Sequence, residues 1–444
     1  MVKLKQLSWW GKIAYGTGAG GYSLIDRVLI TWLFYYYITS PLEGVEALMP
    51  PFAFGLIMFF GRVIDAVADP LIARWSDNYG GKLGRRMPFM LFSGVAYVAV
   101  FILLFYPPIA EKSLLNTIYL AFLLGLYFAL FTAYVNPYLA LLPELARSTR
   151  DRVDLSTFKA VFSLLGVGIA LIGAGILIGI IGFHGMVWLM AILGLILLYI
   201  PLLIKEKDYA EAKPATLGLI EAIVTTFRNK AFVIYLIGNV TFWLGFNIIT
   251  LNIPLYVTVL MGAGEDATSI YFGLAFVVAL LFFPVVNIVS KKLGLKAPMM
   301  FALAGFMVLL PFFFFFGRPL FGLSPDVFAY ILMGLAGLPL SVIFVVPDAI
   351  VAAVTDLEST LSGQRREAMY FGAQGFILKL AMGLSTLITG TLLQLFGSTS
   401  FQPLGIQLTG PVSALFILIG VIVFASYPEK EVQTYQEKSA GRPA

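Results

Sequence analysis

The 444-residue chain has no cysteine and a single histidine, His184. Disulfides, thiolate nucleophiles and Cys/His metal centres are thereby excluded, and the redox compartment is left open. Charge is scarce too. Only 12% of the residues are Asp, Glu, Lys or Arg, about half the share of an average soluble protein. Chemistry inside so apolar a chain would need a nucleophile with its base, or a metal cluster. His184, alone in an outer loop, supplies neither, so no enzyme, no catalytic residue and no cofactor are expected.

What the chain has instead is apolar length: 60% of its residues are hydrophobic. Runs of about 20 apolar residues suffice to cross a bilayer as a helix. They recur twelve times, near 13–38, 50–76, 87–107, 115–143, 154–182, 185–204, 232–261, 268–290, 297–316, 326–355, 367–395 and 409–427. This predicts an all-α integral membrane protein. The first run is longer than a cleaved leader and carries Asp26 and Arg27, so it is expected to be retained.

The basic residues set the orientation. Lys3, Lys5, Lys12, Lys82, Arg85, Arg86, Arg147, Arg150, Arg152, Lys205, Lys207, Lys213, Arg228 and Lys230 fall on one side, followed by Lys291, Lys292, Lys296, Arg365, Arg366, Lys430, Lys438 and Arg442. The other side holds Lys112 and Arg318. By the positive-inside rule both termini are cytoplasmic, and the formal net charge of +5 reports topology rather than a nucleic-acid partner. A plasma (inner) membrane location and a monomer are expected.

The chain also repeats itself. KLGRRMPF (82–89) follows the second run and KLGLKAPM (292–299) follows the eighth. Two six-helix halves place these motifs at equivalent loops: an N-terminal bundle over 1–204, a cytoplasmic linker over 205–231, a C-terminal bundle over 232–427 and a tail over 428–444. Parallel repeats of this kind build transporters with a site near the bilayer midplane.

Several charges lie too deep to reach a headgroup. They are Asp26 and Arg27 in the first helix, Arg62, Asp65 and Asp69 in the second, Lys159 in the fifth, Asp348 in the tenth and Lys379 in the eleventh. A charge at the bilayer centre costs at least about 2.5–3.5 kcal/mol, so such residues face an interior and pair. Asp65 and Asp69 are four apart on one helix face, with Arg62 three before Asp65 on the same stripe. Helical rise sets Asp65 roughly 15 Å, Asp69 roughly 9 Å and Lys379 roughly 18 Å from the inner ends of their helices, depths at which all three can meet. Two carboxylates this close need a cation: an ammonium, a proton or a hard metal ion such as Na+.

These residues carry a resemblance. RVIDAVADP, after YGTGAGGYS in the first helix and before GKLGRRMPF, resembles the glycoside-pentoside-hexuronide:cation symporter family, the melibiose permease group of the major facilitator superfamily. NPYLALLPEL from Asn136, NIITLNIPLYVTVLMG from Asn247 and GQRREAMYFGAQGFILK from Gly363 extend it over nearly the whole chain. The resemblance implies a twelve-helix fold and symport of a small organic solute, such as a sugar or glycoside, with Na+, Li+ or H+ by alternating access. It places Asp65 and Asp69 at the family's cation site, Lys379 at its helix 11 lysine, and Arg62 at an arginine of the same motif. Lys159 falls on a helix 5 arginine near the sugar site. Where the permease grips sugar with two aspartates and a tryptophan, this chain has Ser23, Val135 and Leu139, with Asp26 and Asn136 nearby. The two-carboxylate sugar clasp is therefore missing, and sodium-coupled lysolipid carriers, which are similar to this family, keep the helix 2 motif. A membrane sensor sharing the fold without transporting is a further alternative.

The remaining candidates are weaker. Ser23, Asp26, Asn136, Lys159, Trp243, Asn247, Asp348 and Gln374 are the candidate solute contacts. Arg85, Arg86, Arg365 and Arg366 are candidate inner-face gate residues. PFFFFFG (311–317) is expected to be lipid-facing bulk. The expected partners are the solute, the coupling cation and the lipid bilayer.

Overall fold

The computed structural model describes residues 7–39, 47–81, 83–146, 148–204, 206, 226–362 and 367–432, and among them secondary structure is almost entirely helical. Helix occupies each of the twelve apolar runs. The helices are α1 (Trp9–Val28), which continues through a π-helical turn (Leu29–Leu33) into α2 (Phe34–Thr39), then α3 (Pro51–Asn78), α4 (Met87–Leu103), α5 (Leu114–Leu145) and α6 (Thr149–Gly168). A second π-helical turn (Ile169–Gly173) leads into α7 (Ala174–Tyr199). Beyond the linker come α8 (Lys230–Leu255) with a third π-helical turn (Tyr256–Leu260), α9 (Ala267–Leu293), α10 (Lys296–Leu309), α11 (Pro325–Ile343), α12 (Val346–Ser362), α13 (Glu367–Phe396) and α14 (Leu404–Phe424). Nine helices among the described residues are long and apolar enough to cross a membrane.

The breaks have local causes. The fifth and sixth runs turn at Gly182, whose φ of 71° suits glycine. The tenth run is two helices rather than one, because Pro347 has no N–H for the carbonyl of Ile343. His184 lies in helix rather than in a loop: it stacks on Tyr106 at 4.5 Å, with Nε2 3.1 Å from the carbonyl of Phe105. The phenylalanine run is not uniformly lipid-facing, since Phe313 and Phe316 are buried against Tyr256.

The chain divides into two compact units. The first comprises Met1–Thr216 with Gly264–Ser269, and the second Leu217–Ala263 with Ile270–Ala444. In the first unit the glycines of YGTGAGG let α1 approach α6 closely, for a Cβ on Gly166 would fall 2.3 Å from the carbonyl oxygen of Gly20. Tyr15 and Tyr138 then stack at 4.7 Å, and each hydroxyl donates to the other's backbone carbonyl, at 3.4 and 2.8 Å. Buried hydroxyls satisfied across helices are the polar adhesive available where lipid removes the hydrophobic drive.

In each unit a glutamate caps a helix start. Glu206 Oε1 accepts from the N–H of Arg85 at 2.8 Å, and Oε2 accepts from those of Arg86 and Met87 at 2.9 and 3.1 Å, closing the start of α4. Glu429 Oε1 accepts from the N–H of Leu295 and Lys296 at 2.5 and 2.8 Å, at the start of α10. Both helices follow a KLG motif, so the internal sequence repeat has a structural counterpart. A carboxylate at a helix N-terminus satisfies orphan donors and complements the helix dipole.

Candidate functional site

Two helices of the first unit build a polar ladder. Thr132 Oγ1 on α5 donates to Asp65 Oδ1 on α3 at 2.5 Å. One turn further along both helices, Asn136 Nδ2 donates to Asp69 Oδ1 and to its backbone carbonyl, each at 3.1 Å. Both rungs join residues 67 positions apart, so the two helices run parallel in register. Each polar residue of the second rung precedes a proline: Asp69-Pro70 and Asn136-Pro137. Proline lacks the N–H that would bond four residues back, so the carbonyls of Ala66 and Ala133 lose their usual helical partner at the level of the ladder. Carboxylates, a hydroxyl, an amide and released carbonyls are the oxygen donors a hard cation takes.

The ladder is sealed on one side by Arg62. Its Nη1 donates to Asp65 Oδ2 at 3.3 Å, its Nη2 to Asp26 Oδ1 at 3.1 Å, and its guanidinium carbon lies 4.4 Å from the ring centroid of Phe128. Asp65 is fully buried and Arg62 is 3% exposed, whereas Asp69 is partly exposed and Asp26 has 18% of its side chain open. One guanidinium thus serves two carboxylates on different helices. A buried pair of this sort is costly to break by removing one partner, about 3–5 kcal/mol.

Other predicted residues fall as follows. Ser23 lies 2.7 Å from Ser163 of α6, hydroxyl to hydroxyl. Val135 is buried and Leu139 exposed. Lys159 on α6 is partly exposed and carries an interaction of its own. Arg85 pairs with Glu144 at 2.9 Å, and Arg86 pairs with Glu144 at 3.1 Å and with Asp77. Arg365 and Arg366 lie outside the described residues.

In the second unit, Asn247 donates from Nδ2 to the carbonyl of Trp243 in its own helix at 2.7 Å, while its Oδ1 has no partner among the described residues. Trp243 packs on Phe246 and Phe344. Gln374 Oε1 accepts from the Tyr235 hydroxyl at 3.1 Å. Lys379 is partly buried on α13, and Asp348 is exposed in the first turn of α12.

The residues that sequence reasoning missed are Thr132 and the carboxylates Asp77, Glu144, Glu206 and Glu429. The pairing of Asp26 with Arg62 was missed as well. A signal for the ladder was present: an Asp-Pro and an Asn-Pro step, each with an oxygen-bearing side chain four residues before its first member.

Comparison with known proteins places this arrangement in context. A family model described as MFS/sugar transport protein matches residues 14–427. An uncharacterized symporter of Synechocystis is 22% identical, with 96% of this chain and 95% of the relative covered. The sodium-dependent lysophosphatidylcholine symporter 1 of Xenopus tropicalis is 23% identical, with 98% and 90% covered. Among solved structures, a variant of the nucleoside transporter NupG superposes with a TM-score of 0.69 at 13% identity, covering 94% of this chain and 100% of that one.

Proposed function

Because the chain belongs to the MFS/sugar transport protein family of the major facilitator superfamily, and is therefore a membrane transporter rather than an enzyme, we propose that it is a symporter driving a small organic solute with Na+ or H+. The observation that supports this is the two-rung ladder of Asp65–Thr132 and Asp69–Asn136, which offers a cation two carboxylates braced by a neighbouring helix. Arg62 holds the Asp65 carboxylate in place when no cation is present. Lys379, at the family's helix 11 lysine by resemblance, is assigned to coupling. Both termini are assigned to the cytoplasm of a cell whose inner membrane holds the protein.

For the solute, the first reading is a sugar or glycoside. The lysophosphatidylcholine relative, aligned over 98% of this chain, favours a lysolipid or similar amphiphile as the second. Cation binding is tested on purified protein by thermal shift against Na+, Li+ and pH, followed by counterflow in proteoliposomes across sugars and lysolipids. Asp65→Asn and Asp69→Asn are expected to abolish concentrative uptake and the cation-induced shift while leaving some downhill exchange, because the solute cavity outlasts the loss of coupling energy. Full concentrative uptake in both variants contradicts this reading.

A further inference from the structure

Arg27 has no role in the ladder, yet it is the deep charge whose surroundings are least expected. Between Tyr15 and Ile38 every residue is buried except Tyr22, Asp26 and Arg27. A helix side open to lipid would be apolar. This one is polar, so it opens on water or on a solute. Asp26 is held by Arg62, and Ser23, one turn before Arg27, by Ser163. Among the described residues the Arg27 side chain makes no hydrogen bond and no salt bridge, and its buried Nε has no acceptor; the charges that act on it are those of Asp26 and Arg62.

Snorkelling does not account for it. Arg27 stands 18 residues from Trp9 and 12 from Thr39, roughly 27 Å and 18 Å along the helix, beyond the reach of one side chain. A guanidinium offers five donors in a planar fork suited to carboxylate and phosphate oxygens. Charges at this depth mark substrate or ion paths, and the carboxylate that acts on Arg27, Asp26, is already paired with Arg62.

We infer that Arg27 is the receptor for an anionic group on the transported solute, a carboxylate or a phosphate, on the open side of α1. This rests on the symport reading, and it narrows the solute to an anion-bearing sugar or amphiphile.

The test compares matched probes on purified full-length protein by thermal shift in saturating Na+. The pairs are 4-nitrophenyl glucuronide against 4-nitrophenyl glucoside, and lysophosphatidic acid against the monoacylglycerol of equal chain length. In one pair the anionic member is expected to bind at least about tenfold tighter, and which pair responds tells carboxylate from phosphate. Arg27→Gln is expected to bring that pair within about threefold while keeping the shift produced by Na+ alone. Arg27→Lys, which keeps the charge and loses the fork, retains a weaker preference.

A wild type favouring neither anionic probe overturns the inference, and so does an Arg27→Gln variant with the preference intact. If Arg27→Gln fails to fold, an undiminished preference in Arg27→Lys counts against the bidentate role. A wild type that prefers the anion but shows no response to Na+ or pH removes the symport reading and leaves this one standing.

Discussion

Asp26 shows how a single residue changes meaning once its partner is known. From sequence it was a stand-in for a missing sugar ligand. In the structure its carboxylate holds one arm of Arg62, at 3.1 Å, while the other arm holds Asp65 at 3.3 Å. A cation arriving at Asp65 competes with that second arm, and Asp26 gives the guanidinium somewhere to remain. Asp26→Asn leaves Arg62 with Asp65 as its remaining carboxylate partner among these two. The coupling cation then has to displace a stronger rival, and its apparent affinity is expected to fall about tenfold. Titrating uptake against Na+ and against pH measures this, and an unchanged midpoint shows that Asp26 does not tune the cation site. The pairing was invisible in sequence because Asp26 and Arg62 lie 36 positions apart on separate helices, whereas the Arg62–Asp65 contact, spaced three apart on one helix, followed from periodicity alone.

At the scale of the element, most of the fold was legible and its joints were not. Apolar runs located the helices because lipid obliges every backbone amide in a span to bond within its own segment. The same runs were blind to Pro347, which divides one apolar stretch into α11 and α12, and to the inward packing of Phe313 and Phe316. They also gave no hint of the glutamate caps, since Glu206 and Glu429 act on helices that begin 119 and 133 positions away. The repeated KLG motif was a partial signal: a repeated helix start implies a repeated means of capping it. Glu206 accepts from three backbone donors and Glu429 from two. Leaving such donors without a charged acceptor costs roughly 1–3 kcal/mol. Both Glu206→Ala and Glu429→Ala are therefore expected to lower the unfolding midpoint in detergent, the first by more, with Glu206→Gln intermediate because it keeps an acceptor and loses the charge. Equal midpoints for wild type and Glu206→Ala would mean that water replaces the cap at no cost.

For the whole molecule the question is how charge is apportioned between transport steps. The first unit has Arg62 shared by Asp26 and Asp65, and Asp69 braced by Asn136 one turn along. Carboxylates at this depth need positive charge in every state of the cycle. If a resident cation served throughout, driving ion and solute would be uncoupled, because a ligand moves an equilibrium only through its different affinities for the two states. A protein amine that takes part in coupling removes that difficulty, and Lys379 is the residue the family resemblance proposes for it. Its removal separates two accounts of the protein. If Lys379 only braces its own unit, Lys379→Ala loses stability and keeps whatever cation dependence remains in the folded fraction. If it takes part in coupling, the variant loses the step at which the incoming ion drives uptake. Uptake then persists at reduced rate and becomes flat against external Na+ and pH. Measuring uptake at several Na+ concentrations between pH 5.5 and 8.5, in proteoliposomes normalised for folded protein, reads this directly. A Lys379→Ala curve that rises with Na+ as steeply as wild type would remove Lys379 from the coupling step and leave the ladder to work with Arg62 alone.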